Sequence, residues 1–408
     1  MSTLDQFALS RVNTPSGAVF QPTSQATVQL NPQQDVFKVV ASQSATPQWG
    51  SFCDFLLQPS DFSILNDVLV RVDVSAITGI TGSPSFVNDG NFLIQRCEIS
   101  IAEKLVDVWY PEAMYTKDLT ENITELKNRF FRLTKNDTLA NRKTNATAAQ
   151  SFYIQIPSFW TVQPGFFVRA LNGPIKLRVV LANLGDVVQV NAGTGTAAAT
   201  VNAVSLIASG REFKDQSTAI SQLMAYRKVP QIMFRYLTPI QMSKQSLVAG
   251  SATYGINLTS IQGWISHIFV VVRTAANVST SFANSPDTFA SLASLNIKTT
   301  GGALITGGSE LTHDYALDYA STNYWPGDLT DVMSGLGGAP KSLYSLSFSQ
   351  DPMRVIHHGA QLGGYNFTGT EILNLTFASA LGANNVVDVI AFQYAALGLD
   401  NQGNAAKL

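Results

Sequence analysis

In LVRVDVSAI, Leu69 to Ile77, Val70, Val72 and Val74 alternate with Arg71 and Asp73. This is the period-two pattern of a β-strand with one buried and one wet face. A similar phrase, IFVVVRTAA, begins at Ile268, so that Val70, Val72 and Val74 fall on Ile268, Val270 and Val272 at an offset of 198. The same offset carries Ile99 of CEISI to Ile297 of LNIKT, and Ile175, Leu177 and Val179 to Leu373, Leu375 and Phe377. Phe37 precedes Phe234 by 197, and only Ile154 of FYIQIPSF and Leu346 of LYSLSFSQ break step, at 192. Spacing is kept while few identities are, which predicts a structural duplication.

Each half is a series of short Val-, Ile-, Phe- and Thr-rich segments divided by Gly, Pro and Asn turns, the pattern of an antiparallel sandwich or barrel. Helical spacing is scarce. Leu119, Ile123, Leu126 and Phe130 predict one helix with Thr120 as N-cap; Leu311, Tyr315, Leu317 and Tyr319 predict a shorter one at the equivalent place. Asp215 to Pro230 reads as the joining linker, with a short helix around Ile220, Leu223 and Met224. The charge-free Val190–Val204 reads as a surface loop, either pressed against something or flexible.

Composition changes the picture in one respect. Charged residues make up 13% of the 408-residue chain and hydrophobic ones 45%, about half the charge usual for a soluble domain. Either other chains cover much of the surface, or Ser, Thr, Asn and Gln supply it. A net charge of −2, with Arg11 the only base before Lys38, argues against a nucleic-acid partner. Between Glu98 and Lys143 the bases alternate with acids, as on a solvated or salt-bridged face. Two cysteines, Cys53 and Cys97, make no disulfide framework, and Cys97 reads as a small buried hydrophobe. The start lacks a signal-peptide pattern and the longest apolar run is Ile268–Val272, so synthesis in a reducing cytoplasm is expected. On that basis the seven Asn-x-Ser/Thr sequences, Asn122, Asn257 and Asn366 among them, follow from composition.

No active site is legible. His357 and His358 on a strand would point to opposite faces, His313–Asp314 has no nucleophile elbow to serve, and Gly193 and Gly195 lack a Rossmann context. Gly301, Gly302, Gly307 and Gly308 fit a hairpin. No catalytic, cofactor or metal residues are expected. Aromatic residues cluster instead, with Trp109, Tyr110 and Tyr115 before the first long connection and Tyr315, Tyr319, Tyr324 and Trp325 in the second. They are candidate subunit contacts, with domain core the alternative. Leu4, Phe7, Ala8 and Val12 would share one face of a short helix, either an arm docking on a neighbouring subunit or membrane, or a loose tail.

The repeat spacing, with YWPGDL, KSLYSLSFSQDP and FTGTEILNLTFASAL in the second half, resembles the double jelly-roll major capsid proteins of tailless icosahedral viruses, from about Val36 to Leu397. The resemblance implies two tandem eight-stranded antiparallel jelly rolls with short helices in long connections. The expected divisions are an N-terminal arm 1–35, a first roll 36–214, a linker 215–230, a second roll 231–397 and a tail 398–408. It further implies pseudo-hexagonal homotrimers that join neighbouring trimers, penton or minor capsid proteins, and an internal membrane reached by the arm through Leu4 and Phe7. Its place would be the virion capsid, after synthesis in host cytoplasm. No direct contact with nucleic acid and no cofactor are expected. A carbohydrate-binding double β-sandwich, a spike or lectin-like module using NYWPGD at Asn323, is the alternative.

Overall fold

The computed structural model describes residues 33–43, 46–87, 89–121, 133–135, 139–162, 165–213, 216–228, 231–242, 244–275, 290–305, 311–312, 343–350 and 363–407. The first half contains β1 (Gln33–Ala41), β2 (Phe52–Leu57), β3 (Ile64–Val74), β4 (Thr78–Phe86), β5 (Ile94–Ile101), β6 (Lys104–Trp109), β7 (Gln150–Gln155), β8 (Ile175–Leu181), β9 (Val188–Ala198) and β10 (Val201–Phe213). The second contains β11 (Gln231–Gln241), β12 (Gln245–Leu247), β13 (Thr253–Asn257), β14 (Gln262–Thr274), β15 (Ser294–Lys298), β16 (Leu311–Thr312), β17 (Tyr344–Ser347), β18 (Tyr365–Thr368), β19 (Ile372–Thr376), β20 (Asn385–Asp400) and β21 (Ala405–Lys407).

Alternation along these strands builds two sandwiches. In the first, β1-β10-β3-β7 packs on β2-β8-β5-β6, with Val70, Val72, Ile154, Leu177 and Ile99 in the core. In the second, β11-β20-β14-β17 packs on β13-β19-β15-β16, around Ile268, Val270, Leu346, Leu375 and Ile297. Leaving aside the inserted pair β4-β9 and the short flanking strands, both halves have one topology. The first, last, third and sixth strands make one sheet, and the second, seventh, fourth and fifth make the other. The ladders confirm the match across the halves: Val70 lies opposite Ile154, and Ile268 opposite Leu346. The identity is one of strand and face rather than of every residue. Ile99 lies opposite Leu177, whereas Ile297 lies opposite Leu373, a two-residue slip that leaves each side chain facing inward.

Several expectations change. The first long connection opens with a helix at Pro111–Glu121, so Thr120 falls in a last turn and is no N-cap. Pro111 sets the start because its fixed φ suits a first helical position and its missing N–H needs no partner there. Ile123, Leu126 and Phe130 lie outside the described residues. Leu311 and Thr312 pair with β15 as a strand, where a helix was expected; His313, Asp314 and the tandem His357–His358 lie outside the description. Val190–Val204 forms no loop: it supplies most of β9 and the start of β10, with β9 paired to β4. Its Ala, Gly and Thr residues carry no hydrophobic period in sequence, and the ribbon is held by its backbone pairing with β4, with the Thr78 hydroxyl donating to the Ala198 carbonyl. At Gly79, with φ of +79°, a Cβ would come within 2.3 Å of the Thr196 carbonyl oxygen. A helix at Gln216–Arg227 joins the halves, with Leu223 packed on the core and Ile220 and Met224 exposed. The Gly301–Gly302 segment does make a tight turn, the Thr299 amide bonding to the Ala303 carbonyl. Residue 398 falls inside β20, and β21 folds back on that strand's end.

Candidate functional site

The halves differ in what covers the outer face of the first sheet. In β3 every second residue is buried, but β14 is buried on both faces from Ile265 to Arg273. One side of β14 fills its own sandwich; the other meets the first roll. There Trp109 packs on Phe392 at 6.2 Å between ring centroids, Phe159 on Tyr236 at 5.8 Å, and Phe166 on Phe234 at 4.9 Å. Two of these pairs are edge-to-face, the favoured geometry of the ring quadrupole. One apolar cluster therefore runs from the first core through Phe234, Tyr236, Phe269, Ile390 and Phe392.

Three buried carboxylates, Asp107, Glu112 and Asp388, punctuate this joint. Asp107 of β6 is 2% exposed, and accepts from Trp109 Nε1 at 2.9 Å, from Ser158 Oγ at 2.9 Å and from Thr238 Oγ1 of the second roll. Burial raises its pKa, against the pull of Lys407 and these donors. Lys407 of β21 reaches the same place, its Nζ 3.4 Å from Thr238 Oγ1. Glu112, in the first turn of the Pro111 helix, lies 3.2 Å from Lys244 Nζ and 3.4 Å from the Arg273 guanidinium, and accepts from Gln241 Nε2 at 3.1 Å. Burial opposes its ionisation, but Arg273, Lys244 and Gln241 outweigh it and hold the pKa at about 2. Arg273 also grips Asp388 of the neighbouring strand β20. Beside these hubs, Asn172 N donates to the Gly403 carbonyl at 2.9 Å, which seats the turn before β21 on the first roll.

The aromatic candidates divide. Trp109 and Tyr115 are 2% and 1% exposed inside the chain, Trp109 in the joint and Tyr115 against Phe92, so neither offers a ring to another chain. Their apolar rings are better satisfied by a core that is already close-packed. Tyr110 is half-buried. Leu4, Phe7, Tyr315, Tyr319, Tyr324 and Trp325 lie outside the described residues. Sequence reasoning passed over Asp107, Glu112, Arg273, Asp388 and Lys407. The legible signal was a lone charge in an apolar run: Asp107 in KLVDVW, Arg273 after IFVVV, Asp388 in VVDVIAF.

By contrast the outer face of β1-β10-β3-β7 is the more exposed of the two among the described residues. Phe37 is 74% and Val39 68% exposed, while Val36 and Val40 turn inward. Among the described residues, no group of three or more His, Cys, Asp or Glu side chains is gathered as a metal ion would need. A neutral cleft of about 640 Å³ opens between β11–β12 and β13, lined by Gln241, Met242, Gln245, Tyr254 and Asn257. No helix among the described residues is long and apolar enough to cross a membrane.

Two jelly rolls of one strand order, fused through a shared apolar joint, define the double jelly-roll class of fold. No protein-family model and no curated protein matches the chain. Among solved structures, VP54 of PBCV-1, fitted into a reconstruction of the virophage Sputnik, is similar with a TM-score of 0.68 at 15% identity, over 95% of this chain and 99% of that one. The Faustovirus major capsid protein matches with a TM-score of 0.68 at 10% identity, over 92% of each chain. The mavirus major capsid protein matches at 0.53 and 12% identity, over 97% of this chain and 93% of its own. At such identities the likeness is one of fold.

Proposed function

We propose that the chain is a structural major capsid protein that assembles as homotrimers, each presenting six rolls, into an icosahedral shell. The observation that carries this reading is the element-by-element duplication, with the two rolls locked by an aromatic joint. A pair of similar rolls held at one fixed angle predisposes copies to continue the same packing, and a head-to-tail contact whose rotation closes makes a ring. Covalent fusion halves the number of joints that must form between separate chains, at the high effective concentration that linkage gives. The fold shared along nearly full length with VP54 of PBCV-1 and the Faustovirus protein supports the same role. Trimers would then meet neighbouring trimers, with penton or minor capsid proteins and an inner membrane as further partners. The virion capsid is the place of action, after synthesis in host cytoplasm.

Native mass measurement of the purified chain tests this. Three times 44.0 kDa is expected, surviving dilution to micromolar concentration; a stable monomer there overturns the proposal.

A further inference from the structure

We infer that the cleft between β11–β12 and β13 is a binding site for a neutral saccharide. It lies at the open side of the second sandwich, where β11 and β13, the edge strands of its two sheets, are not paired to each other. Its volume of about 640 Å³ falls within the range of about 300–1,000 Å³ usual for small-molecule sites. None of the described residues that line it is charged, so neither an anion nor a cation meets a counter-charge there. Lys244, in the same segment, turns instead to Glu112 at 3.2 Å.

The polar walls come from three carboxamides, Gln241, Gln245 and Asn257, and three hydroxyls, Ser246, Thr259 and Ser260. Each of these groups both donates and accepts hydrogen bonds, as a sugar hydroxyl does. Gln241 is anchored from behind, its Nε2 donating to Glu112 Oε2 at 3.1 Å. Its Oε1 is buried and receives no hydrogen bond among the described residues. Buried polar atoms are nearly always paired, so this acceptor in the cleft wall marks a site still to be completed by a donor. Tyr254 supplies the apolar counterpart. Its hydroxyl donates to the Val248 carbonyl and lies 3.0 Å from that of Ser251, and its ring stands edge-on to Phe377 at 5.9 Å. With the polar end committed to the backbone, the side chain brings its ring to the cleft. Beside Met242, that ring is a fixed platform for the C–H face of a pyranose.

Saturation-transfer NMR of the full chain tests this, with methyl glycosides of glucose, galactose, mannose and N-acetylglucosamine as probes. A sialic acid glycoside, a sulfated disaccharide and a capped alanine peptide are run beside them. At least one neutral glycoside is expected to take up saturation, most strongly at its ring C–H protons. Gln245→Ala with Asn257→Ala removes two hydrogen-bonding side chains and is expected to weaken that binding about tenfold. Trp264→Ala, which removes an exposed ring outside the cleft, is expected to leave it unchanged. Transfer to none of the neutral glycosides overturns the inference, whether the charged sugars bind or the peptide does so by adding a strand to β13. So does binding that the double variant keeps in full or that Trp264→Ala abolishes. A second measurement stands even if the double variant misfolds. A diazirine derivative of the same glycoside, photolysed with the wild type, is expected to leave adducts between Gln241 and Ser260, and adducts only elsewhere overturn the inference. None of these readouts requires copies to associate, so the outcome is separate from that of the native mass.

Discussion

Phe37 and Phe234 lie on the outward faces of equivalent edge strands, yet one is 74% exposed and the other fully buried against Phe166. The same aromatic residue type therefore has opposite weight in the stability of the single chain. Phe234→Ala empties the middle of the joint and is expected to cost about 3–5 kcal/mol. Phe37→Ala should stay within about 0.5 kcal/mol, as for an ordinary surface change. Urea unfolding below the concentration at which copies associate compares the two directly.

Glu112 and Arg273 make the polar counterpart of that aromatic contact, one from each roll. Removing one member of a buried ion cluster leaves the others uncompensated, so Glu112→Gln is expected to destabilise by about 3–5 kcal/mol at neutral pH. The pH profile should change as well. With the folded pKa held at about 2, below the unfolded carboxylate value of 4.5, the wild type has this stabilisation in full above pH 4.5. It loses it progressively as the pH falls toward 2. The variant should be flatter across that window in a series of thermal melts.

Asp107 has the opposite sign. Burial raises its pKa in the folded chain, so its contribution is greatest below the unfolded value of 3.8 and declines as the pH rises through the folded one. Lys407 is the cation that offsets this ionised state. Where Asp107 is ionised, Lys407→Met is therefore expected to lower stability by about 1 kcal/mol, the upper scale of an exposed charge interaction. The deficit should close as the medium is acidified and Asp107 takes up its proton. A deficit that stays constant across the whole titration, from alkaline to acid medium, would show that Lys407 acts only through packing.

The duplication was readable because strands alternate, and alternation survives when identities do not. Ile154 and Leu346 broke the 198-residue step, yet they face Val70 and Ile268 as equivalents, since loop length changes freely while the face a strand turns to the core does not. The joint was harder to read. Its signal was present in Ile268–Val272, where an uninterrupted apolar run on a central strand marks burial on both faces, unlike the half-wet Val70–Val74. Trp109 and Tyr115 were open to two readings because a large ring suits a core and an interface equally, and only the surroundings decide between them. Asp107 and Lys407 meet from 300 residues apart in sequence, which no local pattern encodes.

His267 carries the last prediction. It lies on the joint face of β14, 1% exposed, stacked on Phe392 at 4.7 Å and edge-on to Phe269 at 5.2 Å. Burial pushes its pKa down to about 3, so the ring is neutral in the folded chain at any ordinary pH. In the unfolded chain it protonates near pH 6.5. The unfolded state thus binds the extra proton between pH 6.5 and about 3, and stability falls as the medium is acidified, by about 1.4 kcal/mol per pH unit at most. His267→Phe keeps a flat ring between Phe392 and Phe269 and removes the titration. Its stability is expected to match the wild type above pH 7 and to exceed it increasingly toward pH 4, in urea melts of the monomer. Parallel profiles for the two proteins would mean that water reaches the ring and that the joint at His267 is open.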